Sequence, residues 1–207
     1  MSVVDILATG GRDTVERPRR VLGAGGVVLL PTDSGYGLAV SPEHDDAIDR
    51  LFVLKQRPRQ RNLPVMVDSP VRLSPLGVRI GEGARRLLES DLMPGPLTVV
   101  LGFGHEGPCS WLQGRREVAV RIPSDPFMLS LLHAAGPLLV TSANLHGLPT
   151  MQTVPEILLQ LAREPALAVD GGRREAVPSS LVNCAVEPPV IEREGIVSDS
   201  RIREILG

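Results

Sequence analysis

The chain has 207 residues, 43% of them hydrophobic and 22% charged, and a net charge of −2. Those proportions are those of an ordinary soluble globular protein able to bury a substantial core, and the balanced charge gives no global basis for nucleic-acid binding, so an anion site must come from a local cluster. Only five residues are aromatic, so the core must be mostly aliphatic.

Gly25 to Leu30 is a short β-branched and aliphatic run that predicts a buried strand, and Gly37 to Ser41 a second, short one. Asp45 to Leu54 predicts a helix, with Ile48, Leu51 and Phe52 on one face and 41–43 as its entry. Leu63 to Val67 predicts a strand, Ala84 to Leu92 a helix, and Thr98 to Phe103 and Val118 to Ile122 strands. Pro126 to Ala135 predicts a helix with Pro at its start, where the missing N–H costs nothing. Leu138 to Thr141 predicts a strand and Pro155 to Arg163 a helix. Leu167 to Val169, Leu181 to Val186 and Val190 to Arg193 predict strands, the last two as a hairpin around Glu187-Pro188-Pro189.

Strands that alternate with helices and end in a strand-rich tail predict an α/β fold with a mixed sheet. The 21 Gly and 19 Pro are spread along the chain rather than gathered into a linker, which predicts a single domain over 1–207. Asp5, Arg12, Asp13 and Glu16 interrupt any N-terminal signal-peptide pattern. No apolar run approaches the ~20 residues of a membrane span. The expected location is cytoplasmic. Cys109 and Cys184 fit neither a metal spacing nor a disulfide framework. His44, His105, His133 and His146 lack partners at metal spacing, so no metal site is expected.

Lys55 is the only lysine among 22 basic residues. Arg is a planar fork suited to bidentate pairing, whereas Lys is a compact point charge whose pKa moves on burial. A single Lys kept in an Arg-rich chain points to a place that needs an ammonium. It opens the run Lys55-Gln56-Arg57-Pro58-Arg59-Gln60-Arg61, at the predicted C-terminus of a helix. Cations there complement the helix dipole, but four exceed that need and suit phosphate or carboxylate. Two further clusters follow strands, Thr32-Asp33-Ser34-Gly35-Tyr36-Gly37 and Thr141-Ser142-Ala143-Asn144, and a third, Pro94-Gly95-Pro96-Leu97-Thr98, leads into one. Ligands of open α/β sheets sit at strand ends. Alone, the Thr32–Gly37 cluster reads better as an ordinary turn, the Thr141–Asn144 cluster equally well as a cap, and Pro94-Gly95-Pro96 best as a stiff turn. There is no P-loop, GxGxxG, HExxH or GxSxG motif.

Taken together, these clusters resemble the YrdC-like family, whose best-known members are threonylcarbamoyl-AMP synthases. The resemblance runs from about Gly25 to Gly195 through GGVVLLPTDSGYGL, AIDRLFVLKQRPRQRNLPVMV, PGPLTVVL, VAVRIPSDP, GPLLVTSANLHGLPT, DGG, PSSLVNC and PPVIEREG. The family signature, Lys-x-Arg followed later by Ser-x-Asn, falls on Lys55-Gln56-Arg57 and Ser142-Ala143-Asn144. The resemblance implies a twisted open mixed sheet with flanking helices around a concave, positive cavity. It implies L-threonylcarbamoyladenylate synthesis from L-threonine, bicarbonate and ATP, with Mg²⁺ accompanying the ATP. Partner proteins would then carry the product to tRNA, and direct RNA contact stays open. It assigns Lys55 and Arg57 to catalysis by charge neutralisation, Thr32, Tyr36, Arg59, Arg61 and Ser180 to substrate binding, and Ser142, Asn144, Arg121 and Arg193 to the nucleotide.

The chain departs from the family pattern at three places. Many members read Asp-Thr-Val-Tyr-Gly where this chain has Asp33-Ser34-Gly35-Tyr36-Gly37, a version closer to the YciO branch. Lys-Pro-Leu is Arg61-Asn62-Leu63, and Ser-Thr near the C-terminal hairpin is Ser179-Ser180. The C-terminal extension domain of longer members is missing, so the expected form is a minimal one. Two alternatives follow: a YciO-like RNA-binding or ribosome-associated module, and a related carbamoyl-adenylate enzyme.

Overall fold

The computed structural model describes residues 4–9, 13–59, 62–104, 110–112 and 114–207. In chain order it contains β1 (Ile6–Ala8), α1 (Glu16–Gly23), β2 (Val28–Thr32), β3 (Gly35–Val40), α2 (Asp45–Lys55), β4 (Val65–Met66), β5 (Val78–Arg79) and α3 (Glu82–Leu88). There follow β6 (Leu97–Phe103), β7 (Glu117–Arg121), α4 (Pro126–Ala135), β8 (Leu138–Ser142), α5 (Val154–Gln160), β9 (Leu167–Asp170), β10 (Ser180–Asn183), β11 (Val190–Arg193) and α6 (Asp199–Leu206). Two short 3-10 segments, Pro70–Leu76 and Ser110–Leu112, complete it. No helix among the described residues is long and apolar enough to cross a membrane.

All strands join one mixed sheet in the order β1-β9-β2-β3-β8-β4-β7-β6-β10-β11, with β5 also paired to β6. The expected α/β architecture with a twisted open mixed sheet is what the chain adopts. The β2–β3 hairpin is antiparallel, with Thr32 opposite Gly35 and Pro31 opposite Tyr36. β3 then pairs antiparallel with β8, setting Gly37 opposite Ser142. That register joins two clusters more than a hundred residues apart in sequence. β10 lies parallel to β6 and antiparallel to β11, as the predicted hairpin required.

Strand alternation sends side chains to opposite faces, and each face buries its own cluster. Val28, Leu30, Ala39, Leu138 and Val140 pack with Met128, Leu131 and Leu132 of α4 and Leu22 of α1. Leu29, Leu38, Val99, Leu101 and Val120 pack on the other side with Ile48 and Leu51 of α2, Leu87 of α3 and Ile202 of α6. α4 matches its predicted span, with Asp125 capping its N-terminus by accepting from Met128 N at 3.1 Å. The strands β1 and β5 and the helices α1 and α6 have no counterpart in the sequence reading. α3 starts two residues before its predicted start and ends at Leu88 rather than Leu92.

Gly195 fixes how the C-terminal hairpin meets the rest of the sheet. A Cβ there would lie 2.6 Å from Ser179 C and 2.7 Å from Ser180 N. This backbone cannot retreat, because Ser180 Oγ accepts from Gly195 N at 2.9 Å and Val197 N at 3.1 Å and donates to Val197 O at 2.6 Å. Gly195→Ala is therefore expected to destabilise the protein by roughly 1–3 kcal/mol. Gly23→Ala, where a Cβ meets nothing within 4 Å, should be neutral or slightly stabilising. Urea unfolding of both variants checks the pair.

Candidate functional site

A cavity of about 850 Å³ lies on the same sheet face as α1 and α4, over β4, β7, β6 and β10. Its floor is apolar, formed by Met66, Val100, Ala119, Val140 and Leu181. Its walls carry the guanidiniums of Arg57, Arg121 and Arg193 and the carboxylates of Glu117 and Glu192. A cavity of this size with converging polar groups falls in the usual range of a small-molecule site, about 300–1,000 Å³, and about half of its lining is polar.

One wall is the turn joining β2 to β3. Thr32 Oγ1 donates to Gly35 O at 2.9 Å and accepts from Ser34 N at 3.2 Å, which folds the turn on itself. Gly35 has φ +117, and a Cβ on it would meet Ala176 Cα at 3.2 Å, so this position needs glycine for conformation and for space. Arg121, almost fully buried, holds the turn from below. Its guanidinium donates to Ser34 Oγ at 2.6 Å, Asp33 Oδ1 at 2.8 Å and Gly95 O at 3.2 Å. Asp33 Oδ2 accepts from Ser124 N and Oγ, both at 3.0 Å.

Tyr36 is buried and lines the cavity, with its hydroxyl anchored in the turn after β9. The hydroxyl lies 2.6 Å from Gly172 O and 3.1 Å from Asp170 Oδ1 as donor, and accepts from Gly171 N at 3.0 Å. Burial pushes its pKa up to about 12. The folded chain keeps this proton at pH values where the unfolded chain has lost it, so stability falls as pH rises from about 10 to about 12. With a single tyrosine in the chain, the tyrosinate absorbance should rise with a midpoint near 12, and Tyr36→Phe should remove that part of the alkaline loss of stability.

The opposite wall is the turn after β8. Ser142 Oγ donates to Asn144 Oδ1 at 2.5 Å, and Asn144 Nδ2 donates to Leu145 O at 2.9 Å and Leu148 O at 2.5 Å. Ser142, Asn144 and Leu148 all border the cavity. Lys55 lies behind this turn rather than on the cavity wall. It is 1% exposed. Its Nζ donates to Ser142 O, to Asn144 O at 2.7 Å and to Asn144 Oδ1 at 3.1 Å. Burial, with Arg57 nearby, draws the ammonium down to about 7, against the pull of acceptors that favour the charged form.

Of the residues singled out in the sequence, Thr32, Tyr36, Arg57, Arg121, Ser142, Asn144 and Arg193 border the cavity. Ser180 does not: it is fully buried and its hydroxyl is spent on Gly195 and Val197. Its neighbour Ser179 takes the cavity position, held by Thr98 Oγ1 at 2.8 Å and by Arg193, whose Nε donates to Ser179 O at 3.0 Å. Arg59 lines a separate cavity of about 240 Å³ with Asp49, Phe52 and Trp111. There it pairs with Asp49 and lies 5.3 Å above the Phe52 ring. Arg61, like His105 and Cys109, is outside the described residues. Thr98, Ser179, Glu117 and Glu192 also line the cavity, and no motif in the sequence marks them as site residues. Strand alternation could have found Ser179, since Leu181 faces the cavity and Val182 the core.

A family model named Sua5_yciO_yrdC and described as "Telomere recombination" matches residues 20–195. The chain is 33% identical over 175 residues to the uncharacterized protein YciO of Escherichia coli, covering 83% of this chain and 84% of YciO. It is 30% identical over 190 residues to the threonylcarbamoyl-AMP synthase of Bacillus subtilis, covering 87% of this chain but 53% of that protein. Among solved structures, Sua5 of P. abyssi complexed with L-threonine superposes with a TM-score of 0.88 at 27% identity. That match takes in 100% of this chain and 61% of the Sua5 chain.

Proposed function

The chain belongs to the Sua5/YciO/YrdC family, and on that premise we propose that it is a threonylcarbamoyl-AMP synthase, a transferase that serves tRNA modification. The observation that carries the reading is the β3–β8 register. It sets the Thr32–Tyr36 turn and the Ser142–Asn144 turn side by side on a cavity that also holds Arg57, Arg121 and Arg193. The resemblance to a synthase and to a threonine-bound structure supports it.

In the proposed reaction the amine of L-threonine adds to bicarbonate, giving a carbamate and water. A carbamate oxygen then attacks the α-phosphorus of ATP, the bond to the bridging oxygen breaks, and pyrophosphate leaves with its electron pair. The protein's part is placement and charge. Thr32 and Tyr36 would bound the amino-acid end. Arg57 would face the phosphates, and Ser142 and Asn144 the nucleotide. Among the described residues no group of three or more His, Cys, Asp or Glu side chains could hold a metal. Mg²⁺ would come with the ATP phosphates, and Glu117 and Glu192 are the cavity carboxylates that would help hold it.

The test is pyrophosphate release from ATP and bicarbonate, with and without L-threonine. Threonine-dependent release supports the synthase. The second reading, an RNA-binding module, rests on the likeness to YciO and on the Ser34-Gly35 departure, which the family resemblance places nearer the YciO branch. Absence of threonine-dependent release from folded protein, together with RNA affinity that falls steeply with salt, would replace the synthase by that module.

A further inference from the structure

The Lys-x-Arg pair parts at Gln56. α2 ends on Lys55, and Gln56 takes a left-handed conformation with φ 49 as its C-cap. The bend leaves Lys55 pointing inward, whereas Arg57 reaches the cavity. The Lys55 main chain also joins the facing turn, since Lys55 O accepts from His146 N at 2.9 Å.

Three oxygens of that turn, Ser142 O, Asn144 O and Asn144 Oδ1, converge on the Lys55 ammonium. An ammonium has three N–H donors and no acceptor, so these contacts match its donor capacity. Without a cation at the centre, three partial negative charges would face one another in a buried place. A planar guanidinium cannot set its donors around a point in this way, which accounts for a lysine here in a chain that otherwise uses arginine. The contact also fixes the Asn144 carboxamide. Its oxygen is turned to Lys55 and Ser142 Oγ, so its nitrogen is turned to Leu145 O and Leu148 O. The far side of the turn is tied down by Gln160, which accepts from Leu145 N at 3.0 Å and donates to Pro149 O at 3.0 Å.

We infer that Lys55 is a positioning residue: its ammonium is the internal cation around which the Ser142–Asn144 turn is built, and it sets the cavity wall without touching substrate. What the turn holds rests on the proposed function, but the clamp itself does not, and the experiment separates the two. Amide hydrogen exchange is measured on wild type, Lys55→Met and Arg57→Met in the absence of any ligand. The expected result is exchange at 144–148 faster by roughly tenfold or more in Lys55→Met, as for loss of a buried charge-assisted hydrogen bond, with Arg57→Met close to wild type. Unchanged exchange at 144–148 in a folded Lys55→Met would overturn the inference.

Wild type alone gives a second readout if Lys55→Met does not fold. The chain has a single lysine, so lysine labelled at ¹⁵Nζ gives one side-chain signal. On titration with inorganic pyrophosphate and then with ATP, that signal should move less than the Asn144 side-chain amide. A Lys55 signal that moves more than that of Asn144 would make Lys55 a ligand contact and end the positioning role. If neither ligand binds, the proposed function fails, and ligand-free wild type decides the clamp: a Lys55 ammonium signal whose protons exchange slowly upholds it, and one that exchanges like a solvated ammonium overturns it.

Discussion

Arg57→Ala should lower threonine-dependent turnover by roughly 10²–10³-fold, the usual loss when one preorganised charge at a transferring phosphoryl group is removed, while the protein stays folded. Arg57 sits just past the left-handed Gln56, half-buried, with a guanidinium nitrogen donating to Asn62 O at 2.7 Å. It is a cavity-wall residue next to the wall formed by Ser142 and Asn144. Lysine should restore only part of the loss, because a point charge cannot reproduce a two-pronged contact with phosphate oxygens. Steady-state pyrophosphate release gives the turnover and urea unfolding confirms the fold. Turnover within twofold of wild type would remove Arg57 from the chemistry.

Arg121→Met should have the largest effect on stability, about 3–5 kcal/mol, because it leaves a buried carboxylate without its cation. Arg121 and Asp33 side chains are 5% and 11% exposed and pair at 2.8 Å. The same guanidinium also satisfies Ser34 Oγ and Gly95 O, so the β2–β3 turn and the Pro94-Gly95-Pro96 turn lose their common tie. Asp33→Ala removes the partner from the other side and leaves Arg121 buried. The double variant should cost clearly less than the sum of the two single changes, which is the signature of direct coupling. Simple additivity in urea unfolding would show that the pair does not act as a unit.

Much of this arrangement is legible in the sequence, for identifiable reasons. β2 and β8 are aliphatic runs that end in polar clusters, and α4 carries Pro126 at its start with Asp125 as cap. α1 and α6 escaped because their anchors are few: Pro18 and Leu22 in one, Ile202 in the other, set among Arg and Glu. β1 and β5 have three and two residues, too short for a period to show.

In the site, composition pointed to Lys55 and the motif placed it beside Arg57, but only the left-handed turn at Gln56 shows that the two face different ways. Motif position points to Ser180, whereas the parity of β10 puts Ser179 on the cavity. The basic run groups Arg59 with the cavity, yet Asp49 and Phe52 hold it at the outer face of α2. The stiff Pro94-Gly95-Pro96 turn hides Thr98 in the sequence, although β6 carries it to Ser179.

The account stands most directly on the product. Incubation with [¹⁴C]bicarbonate, ATP and L-threonine, followed by chromatography and mass spectrometry, should give an adenylate that carries label, threonine and AMP in equal proportion. It should form only when all three substrates are present and fall sharply in Arg57→Ala. Folded wild-type protein that yields no labelled adenylate, or one that forms equally well without threonine, would contradict it.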